Sequence, residues 1–492
     1  MINRRELLAG SAALYLSSQF AFAAPDDLLI VNDIHSQLNR TRVDRILKPT
    51  TVKELQAAVL TAKSAKKPLS IAGGRHAMGG QQFGTDTILI DMTGLNQIVS
   101  FDPKSGLAEV EAGAFWPEFT AGYLKRQQDA RKQWGFAQKQ TGADNISIGG
   151  TLAANAHGRG LTMRPFISNI ESFKLVDAEG NLVSCSRQQN PELFRLAVGG
   201  YGLFGIVSSV TLRLVPRQKI QRVVEVREVD GLMDAFAERI RSGFLYGDFQ
   251  FAIDPASDDF LHKGVFSCYR PVDPTTPMPA EEKSLSDESW RTLLYLAHDD
   301  KTQAFHRYAD YYLSTNGQLY WSDTHQMSIY PANYHREIDQ KEHAKNPATE
   351  IITEISVPRE ELASFLAEAR EDFRKNKVEL IYGTIRLIEK DDESFLPWAK
   401  ESYACTIFNL HTVHTPEGIE HSAQAFRRLI DMAAKRKGTY YLTYHRFAHR
   451  EQVLACYPNF AEFLSLKKKY DPSERFQSDW YRHYQAMFGE TV

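Results

Sequence analysis

The sequence predicts an α+β fold, and two observations carry that expectation. From about Thr41 to Arg217, short apolar runs alternate with amphipathic helical patterns across glycine-rich turns. From about Gln218 to Lys437 glycines thin out, while aromatic and charged residues take over. In the first region, Val52-Lys-Glu-Leu55-Gln-Ala-Ala58-Val59-Leu-Thr-Ala62 has helical apolar spacing, with Thr50-Thr51 as its cap. Leu69–Ala72, Thr87–Met92 and Leu107–Ala112 read as short strands, and Trp116–Arg126 as a helix with Pro117 in its first turn. Ile170–Asp177 and Leu182–Ser186 form a hairpin about Glu179-Gly180-Asn181. In the second region, Glu350–Ser356, Val378–Glu389 and Ala404–Val413 read as strands. Arg359–Lys375 and Gly418–Lys435 read as helices, the latter stopped by Gly438. Pro271–Ser286, rich in Pro, Ser and acidic residues, reads as exposed loop. Residues 438–492 return to a Tyr/Phe-rich pattern.

The ends and the composition narrow the function classes. Residues 1–23 combine a charged start with Arg4-Arg5, an apolar stretch to Phe20 and Ala21-Phe22-Ala23 as a cleavage signal. The paired arginines resemble a twin-arginine export signal, which carries folded, cofactor-loaded proteins to the periplasm or beyond. The apolar stretch is too short to span a bilayer, so no membrane span is expected. A net charge of −3 with no long basic run argues against a nucleic-acid partner. Cys185, Cys268, Cys405 and Cys456 lie far apart without CxxC or zinc spacing, so free thiols and no metal centre are expected.

The chemistry is concentrated in three glycine-rich segments. Ile71-Ala-Gly73-Gly74-Arg75-His76-Ala77-Met-Gly-Gly-Gln81 places a histidine in a turn directly after a strand. Successive amide N–H groups in such a turn form a concavity for phosphate. The other two segments are Thr141-Gly-Ala-Asp-Asn-Ile-Ser147-Ile-Gly-Gly150, leading into Thr151–Gly160, and Gly199–Ile206. The last contains Gly200-Tyr-Gly202-Leu-Phe-Gly205, which satisfies GxGxxG. A dinucleotide fingerprint must open a helix, whereas here the β-branched run Ile206–Val215 follows. A Rossmann site is therefore not expected.

Taken together, these segments resemble the FAD-binding domain of the vanillyl-alcohol oxidase / p-cresol methylhydroxylase (PCMH-type) superfamily. The closest motifs are those of cytokinin dehydrogenases, gulonolactone oxidases and alditol oxidases. The resemblance spans about Thr41–Arg217 and includes Leu89-Ile-Asp91-Met-Thr-Gly-Leu-Asn96, Ser147-Ile-Gly-Gly-Thr-Leu152 and Asn155-Ala-His157-Gly158. It implies a two-subdomain FAD-binding domain over residues 41–217. An α+β substrate (cap) domain over 218–437 covers the flavin, and 438–492 returns to the FAD domain. It further implies that Gly73, Gly74, Arg75, His76, Ala77, Gln81, Thr141, Ser147, Gly150, His157 and Ile206 bind FAD. By that match His76 carries the flavin covalently through its 8α-methyl. The position usually held by serine is Ala77, which removes a hydroxyl but no backbone donor.

In such a cap domain, strands supply the groups facing the substrate. Alternation puts Tyr382, Thr384 and Arg386 on one face, and Ile407, Asn409, His411 and Val413 on one face of the next strand. Pairing of the two predicts a polar cluster of Arg386, Asn409 and His411, with Arg386 as fixed positive charge and His411 as proton acceptor. Sugar-oxidising relatives have Glu-x-Arg where this chain has Thr384-x-Arg386. Their Trp-Gly-Lys segment falls at Leu442–Phe447, where His445 or Arg446 stands in for the lysine. The aspartate used by cytokinin dehydrogenases falls at Gly142, with Asp144 nearby as a loop-ordering residue.

The resemblance implies an exported FAD-dependent oxidase or dehydrogenase. It would take a hydride from a C–OH or C–NH carbon of a small molecule and pass electrons to oxygen or a redox carrier. A flavin-dependent C=C reductase and a non-catalytic periplasmic protein of the same fold are the alternatives. Ala156 occupies the position at which the superfamily controls oxygen access.

Overall fold

The computed structural model describes residues 29–489 except 329 and 332. The export signal expected over residues 1–23 lies outside the described residues. Local rules already explain the first helix, Val52–Ser64. Thr51 accepts a hydrogen bond from the Glu54 amide, the Glu54 carboxylate accepts one from the Thr50 amide, and Leu55, Ala58, Val59 and Ala62 form the buried stripe. The helix covers a small parallel sheet in the order Arg45–Leu47, Ile88–Asp91, Leu69–Ala72. An antiparallel five-stranded sheet follows, in the order Leu182–Ser186, Ile170–Val176, Ile206–Arg213, Leu107–Glu111, Ile98–Asp102. The helix Ile148–Ala154 packs against the Leu107–Glu111 and Ile206–Arg213 strands. GxGxxG indeed runs into a strand, Ile206–Arg213.

The remainder builds one antiparallel sheet of eight strands among the described residues. Its central order is Lys263–Pro271, Tyr246–Phe251, Leu380–Ile388, Tyr403–Val413, Ala348–Pro358. Helices Leu362–Asn376 and Pro416–Lys435 pack on one side of it. Helices Asp287–Asp299 and Lys301–Ser314 were not expected from sequence, nor were the strands between residues 219 and 271. The Lys219–Glu228 strand buries Arg222 between Ile220 and Val224, and Lys263–Pro271 is buried on both faces over 264–269. Neither shows the clean apolar/polar alternation that marks a half-buried strand. The four cysteines are buried free thiols. No described helix is long and apolar enough to cross a membrane.

The last segment is pinned back onto the first sheet. Leu69 donates to Arg475 O at 2.6 Å and accepts from Gln477 N at 2.7 Å. Asp471 organises this return, accepting from Arg475 N and Phe476 N at 2.8 Å each and from Lys467 Nζ at 2.5 Å. Both charged side chains are fully enclosed. Removing one partner strands the other charge, so Asp471→Ala is expected to cost about 3–5 kcal/mol, measured by urea melting.

Candidate active site

The turn after Leu69–Ala72 packs so tightly on the loop before Ile148–Ala154 that only glycine fits. A Cβ on Gly73 would lie 2.1 Å from Ser147 Oγ, and one on Gly74 would lie 2.1 Å from the Asn145 carbonyl oxygen. Backbone cannot yield as a side chain can. Gly74→Ala is therefore expected to lower stability by about 1–3 kcal/mol and to weaken cofactor retention, read by melting and by flavin content after gel filtration. Arg75 adopts a left-handed φ of 59°. Among the described residues the N–H groups of Gly74, Arg75, His76 and Ala77 have no acceptor, and all four half-buried residues line a cleft. A row of amides left free along a cleft suits a polyanionic group.

Within this turn His76 is held by a second histidine. Its Nδ1 is hydrogen-bonded to Nε2 of His35 at 2.8 Å, while its Nε2 is buried without a partner. Burial pushes the His76 pKa down to about 4, the nearby Lys139 charge acts in the same direction, and the Asn145 backbone partly opposes both. His35 is driven well below its ordinary value by burial and by the neighbouring His76 and His335. Both rings are thus neutral near pH 7, and His76 keeps an Nε2 that no protein group occupies.

The cleft contains about 1410 Å³ of empty space, including the part open to solvent. Its second wall is the Ile148–Ala154 helix, capped by Ser147 Oγ accepting from Gly150 N at 3.1 Å. Its third is the turn ending at Gly205, in which Tyr201 (φ 53°) and Gly202 (φ 76°) are left-handed. Tyr441, Thr443 and Tyr444 close it. Gly73, Gly74, Arg75, His76, Ala77, Gln81, Ser147 and Gly150 line it together. Three residues expected there do not. Ile206 points into the core because strand alternation turns Val207 to the cleft instead. His157 is buried behind Ala156, its Nε2 2.7 Å from Glu354 Oε1, and ties the helix end to the cap sheet. Thr141 lines a neighbouring cavity.

That second cavity holds about 2340 Å³ of empty space, again counting its open part, beneath the eight-stranded sheet and Asp287–Ser314. It meets the cleft at His35, Gln140, Gly142, Ile352 and Tyr444, which line both. The Leu380–Ile388 and Tyr403–Val413 strands pair as expected, with Tyr382 opposite Asn409. Arg386 and Asn409 both face the cavity, and Arg386 Nε and Asn409 Oδ1 are buried without partners. His411 does not join them. It keeps the face of Asn409, opposite Glu350, but near the strand end it packs against His298 and lies outside both cavities.

The Leu442–Phe447 segment also departs from expectation. His445 bonds Thr353 Oγ1 at 2.9 Å and stacks on Phe426, and Arg446 turns toward Gly80, so neither replaces a substrate-facing lysine. Tyr444 is the member of that segment which reaches both cavities. Asp144 orders its loop as expected, accepting from Ser328 N at 2.8 Å and pairing with Lys139 at 2.9 Å. His35, Gln140 and Ile352 carried no sequence signal, because tertiary contacts alone bring them here.

Burial pulls His445 down to about 3 from the ordinary 6.5. Between those values the unfolded chain binds more protons than the folded one, so stability is complete above about pH 6.5 and falls as the pH drops. Urea midpoints are expected to decrease from pH 7 to pH 5, and His445→Gln is expected to flatten that slope.

Two family models match successive parts of the chain. Residues 43–186 match the family described as FAD binding domain, and residues 210–484 match the family described as D-arabinono-1,4-lactone oxidase. An L-gulono-1,4-lactone dehydrogenase of Mycobacterium tuberculosis is 24% identical over 439 residues, 89% of this chain and 95% of that protein. A D-arabinono-1,4-lactone oxidase of Yarrowia lipolytica is 30% identical over 213 residues, 41% of this chain and 39% of its own length. Cytokinin dehydrogenase 9 of Oryza sativa is 28% identical over 194 residues, 38% of this chain and 36% of its own length.

Proposed function

The chain belongs to the D-arabinono-1,4-lactone oxidase family and is a FAD-dependent oxidoreductase of the aldonolactone oxidase/dehydrogenase type; from this we propose that it oxidises an aldono-1,4-lactone at a C–OH carbon, with FAD bound covalently through His76. The observation that carries this reading is the junction of the two cavities. The cleft with free turn amides adjoins the cavity that Arg386 and Asn409 line, and Arg386 Nε and Asn409 Oδ1 lack partners. FAD, when bound, accepts the hydride. The chain's own residues do the rest. The Gly74–Ala77 amides hold phosphate, and Asn409 and Tyr382 meet substrate hydroxyls. Arg386 would supply fixed positive charge for the negative charge that the hydride brings to the flavin, while the carbon it leaves becomes electron-poor.

Burial raises the phenol pKa values of Tyr382 and Tyr444, with the Arg386 charge opposing in both. Both phenols therefore stay protonated as hydrogen-bond donors at neutral pH. Anaerobic mixing with L-gulono-1,4-lactone and D-arabinono-1,4-lactone tests the substrate class, through bleaching of the visible flavin absorbance. Ala156, on the cleft wall, bears on the acceptor. Photoreduced protein that reoxidises in air within seconds is an oxidase, and one that takes many minutes is a dehydrogenase. We further propose twin-arginine export, for which Arg4→Lys with Arg5→Lys should retain the protein in the cytoplasm on cell fractionation.

A further inference from the structure

Three side chains from three elements meet beside the second cavity. His298 comes from the last turn of Asp287–Asp299, Glu350 from Ala348–Pro358 and His411 from Tyr403–Val413. One donor atom of each lies within 4.8 Å of the others. Glu350 and His411 are directly opposite in neighbouring strands, and the His298 and His411 rings meet edge-on with centroids 5.1 Å apart. The sequence offered no hint, since 52 and 61 residues separate the members.

The proton inventory of this cluster is incomplete. His298 Nδ1 lies 2.8 Å from the Leu294 carbonyl, which can only accept, so that nitrogen donates. His298 Nε2 lies 3.0 Å from Glu350 Oε1, and two acceptors cannot face each other there without a second ring proton or a metal ion between them. The other carboxylate oxygen takes the Tyr334 hydroxyl. His411 Nδ1 is buried with no partner at all. A simple ion pair between His298 and Glu350 would satisfy two groups and leave that third donor atom orphaned.

We propose that His298, Glu350 and His411 form a binding site for one divalent transition-metal ion of the zinc class. Two imidazoles and one carboxylate are a familiar zinc donor set, with a fourth position left for water. The Leu294 carbonyl holding Nδ1 of His298 is the backing that orients a ligating imidazole. Metal–donor bonds of about 2.0–2.2 Å need donors a little over 3 Å apart, which small side-chain rotations supply here. Glu350 lines the substrate cavity, so the ion has a route from solvent and an open position facing that cavity. Bound there, it would clip the Asp287–Asp299 helix to the sheet. The site is independent of the flavin reading.

The test uses the full chain without an affinity tag, stripped with a chelator and titrated with Co²⁺ while its visible d–d absorption is followed. One equivalent is expected to saturate a band of low-coordinate character and to raise the melting temperature. His298→Ala and His411→Ala should each weaken binding about 10–100-fold, and His411→Cys, which restores a donor, should recover part of it. Circular dichroism of each variant in chelator separates loss of a donor from loss of fold. Failure of the parent chain to take up one equivalent, or equal affinity in folded His411→Ala, would overturn the proposal.

Discussion

Replacing His76 with alanine is expected to yield a folded chain whose denatured gel band carries no flavin fluorescence, whereas the parent band fluoresces. The structure gives the reason for choosing this residue among the histidines near the cleft. His76 sits in the turn whose amides lack acceptors, it is neutral at physiological pH, and its Nε2 is unpartnered. His35 holds the other nitrogen, fixing ring orientation. His35→Ala is accordingly expected to slow flavin attachment without abolishing it. The alanine variant at His76 should still bind FAD reversibly, since the remaining walls persist. A histidyl substituent withdraws electron density from the flavin, so substrate reduction in that variant should slow about tenfold, corresponding to about 1.4 kcal/mol.

Arg386→Met is expected to lower kcat about 10²–10³-fold while leaving melting temperature unchanged or raised. The guanidinium is buried, its Nε has no partner, and no described carboxylate forms an ion pair with it. An uncompensated buried charge costs stability, so losing it cannot destabilise the fold as loss of a structural ion pair would. The functional loss follows from removing a preorganised, buried charge. Arg386→Lys keeps the charge but loses the planar fork and should recover part of the rate. A variant with unchanged kcat would remove Arg386 from the chemistry.

Legibility in the sequence followed how local each feature was. The Val52–Ser64 helix and the Gly73–Gln81 turn are determined within a few residues, and patterns predict them, whereas the Ser147-capped helix Ile148–Ala154 reads in the sequence only as loop and small residues. Ile206 was one position off because a motif does not say which side of a strand faces the ligand, whereas alternation from Val207 does. His157 carries the right motif but spends its ring on Glu354, a partner 197 positions away. His411 lies on the face that alternation predicts, opposite Glu350, but alternation does not show that the Asp287–Asp299 helix brings His298 against it at the strand end. His35 and Ile352 reach the junction only through the packing of the whole chain. The strands between residues 219 and 271 were hidden because the fold buries an arginine and both faces of a strand there.

The central claim is that the cleft holds flavin and that the adjoining cavity delivers an aldonolactone to it. Anaerobic addition of L-gulono-1,4-lactone to the purified, yellow chain tests this most directly. Bleaching of the flavin absorbance, rapid in the parent and at least a hundredfold slower in Arg386→Met, is the predicted result. A yellow protein that no aldono-1,4-lactone bleaches would contradict the substrate class, and a colourless one would contradict the cofactor.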